Sequence, residues 1–228
     1  MIDIYVTTWN DERIIQDFID HYKEIGPCTI TVYDNMSTDN TVQICRDNNC
    51  VVHQFDTGNK MDEYKLMNIR NNAWKQGTNP YVLVVDSDEW VGYTTDQLDG
   101  WDICVTEGYE MFGKWCPRKE LVMGAKSVGY CKPVLFKRDS VIETNFQGGC
   151  HKAFFQYSKL DIITCPYSIP MYHTKWRDWD YGISRQKMIA DRVAQSNLDV
   201  GMNFHYGLEE KVHWEYYSNG IQVSTKVR

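Results

Sequence analysis

Along the first third of the chain, short β-rich apolar runs alternate with segments whose apolar residues recur every three or four positions. Residues 2–8 read as a strand. Over 11–25, Ile14, Ile15, Phe18, Ile19, Tyr22 and Ile25 fall at helical spacing. Asn10 or Asp11 is the expected N-cap of that helix, and Gly26-Pro27 stops it. Residues 29–33 form the next strand, and Ser37 or Thr38 caps a helix ending near Asn48. A third strand at 51–55, a long helix at 62–76 and the run Tyr81-Val82-Leu83-Val84-Val85 complete the series. That last run is apolar at every position, as in a strand buried on both faces. The β-α-β-α-β-α-β order predicts an α/β fold whose central sheet is mixed but mostly parallel, with helices on both faces. After Trp90 the pattern changes. Strand-like pieces at 103–112, 130–137, 150–157 and 168–173 lack long helices between them and suggest a mixed sheet with loops. A helix is expected over 179–195, and the rest is polar and aromatic without a clear period. No repeat, linker or low-complexity tract divides the chain, so its 228 residues read as one domain.

Composition narrows the classes. The formal net charge of −7 makes a general nucleic-acid binder unexpected. A phosphate-rich ligand would then need a metal ion or a few local bases. No apolar stretch approaches the roughly 20 residues that span a bilayer, and residues 2–8 read as a strand rather than a signal peptide. The eight cysteines are scattered and include no C-x-x-C, which argues against a zinc ribbon or thioredoxin-type site and for reduced thiols in a cytoplasmic protein.

The chemistry concentrates where the apolar run ends. Asp86, Asp88 and Glu89 follow it within four positions, at the carboxyl end of a strand, where open α/β sheets bind ligands. Carboxylates at i and i+2 of an extended segment point the same way. Such a pair suits a hard divalent cation and the phosphates it carries. Other strand ends bring Thr8, Asn10, Asp34 and Asn35, short polar groups able to bond a base and a ribose. Read alone, Asp34, Asn35, Ser37 and Asp39 are also ordinary turn and cap residues. Arg70, on the helix before the Asp86 strand, could reach a phosphate or hold an aspartate. Neither G-x-G-x-x-G nor G-x-x-x-x-G-K-[ST] occurs, which disfavours a Rossmann dinucleotide site and a P-loop.

Four segments, VTTWNDE, VYDNMSTDNT, IRNNAW and VLVVDSDEW, resemble in order and spacing the motifs of GT-A glycosyltransferases, notably family 2 and a subgroup related to family 92. MYHTKW, at 171–176, resembles the H-Y-x-x-K-S segment of that subgroup, and Lys187 fits a lysine on its following helix. The resemblance implies a GT-A, Rossmann-like, three-layer αβα domain. Residues 1–95 would form the nucleotide-sugar half, and 96–228 the acceptor half with C-terminal helices. It also implies a glycosyltransferase that uses Mn²⁺ or Mg²⁺ and a nucleotide-sugar, UDP-sugar favoured, to modify a glycan, polysaccharide or other hydroxyl acceptor, with inversion. By position, Thr8 and Asp34 would contact the base, Arg70 the diphosphate side and Asp86 the ribose or metal. Asp88 would hold the metal, with His173 as a further metal or phosphate contact and Lys175 near the phosphates.

Inverting transfer needs a group that takes the acceptor proton. The family's E-D pair is missing, and NFQGGCHKAFF stands in the matching region. Glu143, His151, Glu110 and Glu107 are the candidates. Trp115, Trp176 and Trp179 could stack on a sugar but fit core packing better, and no role is expected for His21, His53, His205 or His213. Two other functions compete. A sugar-1-phosphate nucleotidyltransferase would want a Gly-rich basic loop where TTWNDER stands. A nucleotide- or sugar-binding module with a decayed site would also lack the base. A haloacid-dehalogenase-type phosphatase is disfavoured, because Trp90 occupies the Thr/Val position of its motif.

Overall fold

The computed structural model describes residues 1–228. In its first part β1 (Ile2–Thr8), α1 (Ile15–Ile25), β2 (Cys28–Asp34), α2 (Thr41–Asp47), β3 (Val51–Gln54), α3 (Glu63–Asn72) and β4 (Tyr81–Asp86) follow in the predicted alternation. There follow β5 (Glu89–Val91), β6 (Ile103–Cys104), β7 (Glu107–Met111), β8 (Met123–Lys126), β9 (Leu135–Lys137), β10 (Val141–Glu143), β11 (Gln156–Tyr157) and β12 (Pro170–His173). The chain ends with α4 (Trp179–Ala190), α5 (Gln195–Leu198), α6 (Glu210–Val223) and β13 (Thr225–Lys226).

The central sheet has the order β3-β2-β1-β4-β9-β6. β1 pairs in parallel with β2 and β4, and β9 runs antiparallel between β4 and β6. β2 and β3 lie on one side of β1 and β4 on the other, so right-handed crossovers put α1 and α2 on one face and α3 on the opposite one. Ile15, Phe18, Ile19 and Tyr22 form the buried stripe of α1. Every residue of β4 from Tyr81 to Val85 is buried, as its unbroken apolar run requires. Register then fixes the site. Thr8 pairs with Asp34 and Thr7 with Asp86, so the polar ends of β1, β2 and β4 stop at one edge.

The second half differs from the single mixed sheet expected. It gives β9 and β6 to the central sheet and builds its own sheet, β13-β8-β7-β12-β5. β5 begins two residues after β4, so Ser87 and Asp88 are the turn by which the chain leaves one sheet for the other. β12 lies between β7 and β5 and puts His173 opposite Glu110 on one side and Glu89 on the other. Arg177 is fully buried. It donates to Asp17 Oδ2 on α1 at 2.6 Å and to the Cys116 carbonyl at 2.8 Å, which anchors the start of α4 to the first half.

Several boundaries move, two of them for identifiable reasons. α1 begins at Ile15, not Asp11, because the Asp11 carboxylate is engaged by Thr8, Trp9 and Ser87 while its carbonyl accepts from Ile14 and Ile15. α2 begins at Thr41. The turn ahead of it is closed by Asp39, whose Oδ1 accepts from the Thr41 amide at 3.0 Å, rather than by Ser37 or Thr38. α4 stops at Ala190. No helix is long and apolar enough to cross a membrane, and all eight cysteines are free thiols.

Gly108 on β7 packs directly against the backbone of residues 127–131. A Cβ there would lie 2.4 Å from the Ser127 carbonyl oxygen and 2.4 Å from the Tyr130 carbonyl carbon, both backbone atoms that cannot swing aside. Gly108→Ala is therefore expected to cost about 1–3 kcal/mol, read as a lowered urea midpoint at unchanged slope. An unchanged midpoint would contradict this packing.

Candidate active site

A cavity of about 330 Å³ opens at the carboxyl ends of β1 and β4, walled by the second sheet and covered by α4 and the segment after it. Of the residues singled out in the sequence, Thr8, Asn35, Arg70, Asp86, Asp88, His151, His173 and Lys175 line it. Both halves of the chain supply lining cations: Arg70 from the first, and Lys132, Lys175, Arg185 and Arg192 from the second.

Asp86 and Asp88, two residues apart, have different partners. Asp86 Oδ1 accepts from Arg70 Nη2 at 2.6 Å and from the Thr7 hydroxyl at 3.1 Å. Arg70 is buried rather than on a solvated helix face, and its other arm reaches Glu63 Oε1 at 2.9 Å. Burial pulls the Asp86 pKa upward, but Arg70 and Lys132 outweigh it and keep the carboxylate ionised. Asp88 faces His173 Nε2 at 3.3 Å instead. The MYHTKW segment acts on this one residue three times over. His173 meets the Asp88 side chain. Thr174 donates its amide at 2.7 Å and its hydroxyl at 3.0 Å to the Asp88 carbonyl. Lys175 adds its positive field.

His173 is sandwiched chemically and sterically. Its Nδ1 lies 2.5 Å from Glu110 Oε1, and the Tyr130 ring stacks on it at 3.9 Å between centroids. Burial disfavours the imidazolium, but Glu110 and Asp88 push its pKa up to about 10. Glu110 also accepts from the Tyr216 hydroxyl at 3.0 Å, so it is the partner behind His173 and not a free base. The pair Asp88 and His173 offers an oxygen and an imidazole nitrogen to one point of the cavity, separated by a proton that a divalent cation could replace. That donor set fits a cation that takes its remaining ligands from phosphate. Asp86 has Oδ1 committed to Arg70 and Thr7, which leaves its Oδ2 as the one oxygen free for that role. No group of three His, Cys, Asp or Glu side chains is arranged to hold a metal ion.

Beneath the turn, Lys132 pairs with Glu89, both side chains 2% exposed. Lys132 also donates to the Gly149 carbonyl at 2.5 Å, and Glu89 Oε2 accepts from the Asp86 amide at 3.1 Å. On the opposite wall Asp11 accepts from Thr8 and Ser87, both at 2.7 Å, and meets Arg185 at 2.7 Å. Every carboxylate lining the cavity thus has a cationic partner: Asp11, Glu63, Asp86, Asp88 and Glu89. Two lining cations, Lys175 and Arg192, have no carboxylate partner. Burial lowers the Lys175 pKa to about 8 and that of Arg192 to about 10. Arg192 lies 3.4 Å from the centroid of the Trp9 ring, and its buried Nη2 has no hydrogen-bond partner.

Several expected residues are elsewhere. Asn10 stays outside the cavity and ties the 37–38 loop, with Oδ1 accepting from the Thr38 amide at 2.8 Å. Asp34 is wholly buried behind Asn35. Its Oδ2 accepts from the Ser37 amide at 3.0 Å and Gln54 at 3.2 Å, and its Oδ1 is unpartnered. Glu143 is paired with Lys75 at the surface, 2.6 Å apart and away from the cavity, and Glu107 pairs with Lys126 on the edge of β7. Lys187 points outward to Glu210. Trp176 and Trp179 stack on each other at 6.0 Å in a cluster with Tyr217, and Trp115 packs under Arg177, so these rings serve packing. His205, for which the sequence suggests no role, also lines the cavity.

Asp11, Glu63, Lys132, Arg185, Arg192 and Tyr206 also line the site, though none stands out as a site residue in the sequence. Arg185, Ile189 and Arg192 stand at i, i+4 and i+7, one face of a helical turn series, which was the available signal. Lys132 sits two residues before a fully buried Val-Leu-Phe run.

No protein-family model matches the sequence, and no curated protein matches it. Among solved structures, the 1–349 portion of TarS from S. aureus is 17% identical, with a TM-score of 0.47 over 92% of this chain and 67% of that one. The same portion in complex with UDP gives 17% identity and a TM-score of 0.48 over the same shares. Of the longer TarS chain, this protein spans 41%. Glucosyl-3-phosphoglycerate synthase from Mycobacterium tuberculosis, in complex with Mn²⁺, UDP and glucosyl-3-phosphoglycerate, is 14% identical, with a TM-score of 0.34 over 48% of this chain and 44% of that one.

Proposed function

We propose that this protein is a glycosyltransferase that takes a sugar from a nucleoside diphosphate, a UDP-sugar first among them, to a glycan or other hydroxyl acceptor with inversion, assisted by Mn²⁺ or Mg²⁺. The observation that carries the reading is the Asp88–His173 pair facing one cavity with two cations that no carboxylate neutralises, Lys175 and Arg192. The ordered motifs that resemble GT-A enzymes support it independently. Asp88 and His173 would hold the cation, which stabilises negative charge on the departing diphosphate. Lys175 and Arg192 attract the phosphates, and Arg70 keeps Asp86 ionised beside the ribose. Thr8 and Asn35, at the ends of β1 and β2, border the place of the base, with the unpartnered Asp34 Oδ1 behind them.

Ligand that binds only the folded chain raises its melting temperature. UDP with Mn²⁺ is expected to do so and UDP with EDTA to do so far less. Asp88→Asn should abolish the difference, and its persistence in that variant would sink the metal assignment. Arg192→Met removes a charge-assisted hydrogen bond worth about 1.5–3 kcal/mol, so UDP should bind about tenfold to a hundredfold more weakly by calorimetry. Undiminished binding would move the phosphates away from Arg192.

The Lys175 ammonium must be charged to hold phosphate, and its pKa lies near 8 because burial opposes the charge. In Mg²⁺, UDP affinity should fall as pH rises through that value. Lys175→Arg, which keeps its charge, should move the fall to higher pH. Titrations of the two proteins that superimpose would exclude Lys175 from the anion site.

A further inference from the structure

We infer that the His151 imidazole, acting through Nε2, is the general base that takes the proton from the acceptor hydroxyl. This rests on the transferase reading above and adds to it the group that reading lacks.

Elimination comes first. A base needs an unshared lone pair and no cation already holding it. Asp11, Glu63, Asp86, Asp88 and Glu89 are each in an ion pair. Glu110 is fixed behind His173 by two hydrogen bonds, and Glu143 and Glu107 are outside the cavity. Two imidazoles remain in the lining besides His173. His205 has no ring hydrogen bond to fix its tautomer. His151 does: its Nδ1 lies 2.6 Å from the Gly129 carbonyl oxygen. A carbonyl only accepts, so Nδ1 carries the hydrogen and Nε2 is left with its lone pair. Partial desolvation by the surrounding loop and the nearby Lys132 lower the His151 pKa, which favours the neutral ring that can accept. His151 lines the cavity and is also exposed to solvent, so an acceptor arriving from solution can reach it.

The loop beneath it is held from both sides. The Gly149 amide donates to Glu63 Oε1 at 3.0 Å, and the Gly149 carbonyl accepts from Lys132 Nζ at 2.5 Å. Asn71 on α3 braces the same loop, accepting from the Phe146 amide at 2.6 Å and the Thr144 hydroxyl at 2.7 Å. Gly149 has φ +61°, and a Cβ there would stand 2.9 Å from His151 Nε2, so a glycine keeps that nitrogen clear. Cys150 follows with φ +57°, a conformation costly for a side-chain-bearing residue and persistent only where the surroundings enforce it. Glu63, Lys132 and Asn71 are therefore positioning residues for His151.

The step balances. The acceptor oxygen bonds to the anomeric carbon as its proton passes to Nε2. The bond from that carbon to the diphosphate oxygen breaks, and its electron pair leaves with the nucleoside diphosphate. The imidazolium then returns its proton to water.

Water serves as the acceptor in the test, so no acceptor need be known. Wild type, His151→Ala and His151→Gln are compared for Mn²⁺-dependent UDP release from UDP-glucose, UDP-galactose and UDP-N-acetylglucosamine, and for their thermal shift with UDP and Mn²⁺. Both variants should keep the wild-type shift and lose about 10²–10⁴-fold in turnover. Added imidazole should restore part of the rate to the alanine variant, whose cavity can admit it, and not to the glutamine variant. Turnover within a few-fold of wild type in either variant, with the UDP shift intact, would overturn His151 alone. A wild-type chain that shows no UDP shift, or a shift but no turnover of any donor, would overturn the transferase reading and the base with it.

Discussion

Lys132 and Glu89 form an ion pair almost sealed from water, and the geometry of the site depends on it. Glu89 also receives the Asp86 amide, and Lys132 also holds the Gly149 carbonyl. One pair therefore joins the turn between the two sheets to the loop that carries His151. Burying both charges is costly, and apolar residues of similar volume would often serve stability as well. What apolar residues could not do is fix the carbonyl of one loop and the amide of another at hydrogen-bond distance. Removing one partner would leave the other charge buried and uncompensated, so the two stand or fall together.

The framework was legible because it rests on periodicities. The stripe Ile15, Phe18, Ile19, Tyr22 and the unbroken run in β4 each encode one element and its burial. Parallel register then carries Thr8, Asp34 and Asp86 to a common edge. The elements that were missed lack such a code. β5 is three residues long and follows a two-residue turn, too short to show alternation. In α6 the buried residues are His213, Tyr217 and Gly220, while Trp214, Ile221 and Val223 face water. Gly220 is inside because a Cβ there would stand 2.2 Å from the Phe112 ring. A helix that buries its glycine and exposes its tryptophan gives no apolar period to read.

The site was legible by residue type and not by pairing. Asp86 and Asp88 look alike in sequence, yet one is bound to Arg70 and the other faces His173. Which role each takes depends on contacts made across the fold: Arg70 from α3 and His173 from β12. Asp11 reads as a helix cap because aspartate before an apolar stripe is normally one. Arg185, far away in sequence, turns it into part of the cavity wall. Glu143 was a reasonable base by its position after β9, and a surface lysine, Lys75, shows that its strand faces outward there.

The charge of the lining bears on what the proposed cation would add to the site. Five carboxylates (Asp11, Glu63, Asp86, Asp88, Glu89) meet five lysines and arginines (Arg70, Lys132, Lys175, Arg185, Arg192), and they sum to zero. His173, held protonated by Glu110 and Asp88, adds one positive charge, and Glu110 directly behind it takes that away. A nucleotide-sugar brings a negative charge on each phosphate. A neutral wall cannot offset this by itself, however well Lys175 and Arg192 are placed. Exchanging the proton between His173 and Asp88 for a divalent cation would raise the local charge by one at the point where both side chains converge. Under the proposed function, the Glu110 and Asp88 carboxylates that raise the His173 pKa would also favour a cation in the proton's place. In a protein with a net charge of −7, affinity for the proposed phosphorylated donor would then come from this local exchange and not from the field of the whole molecule.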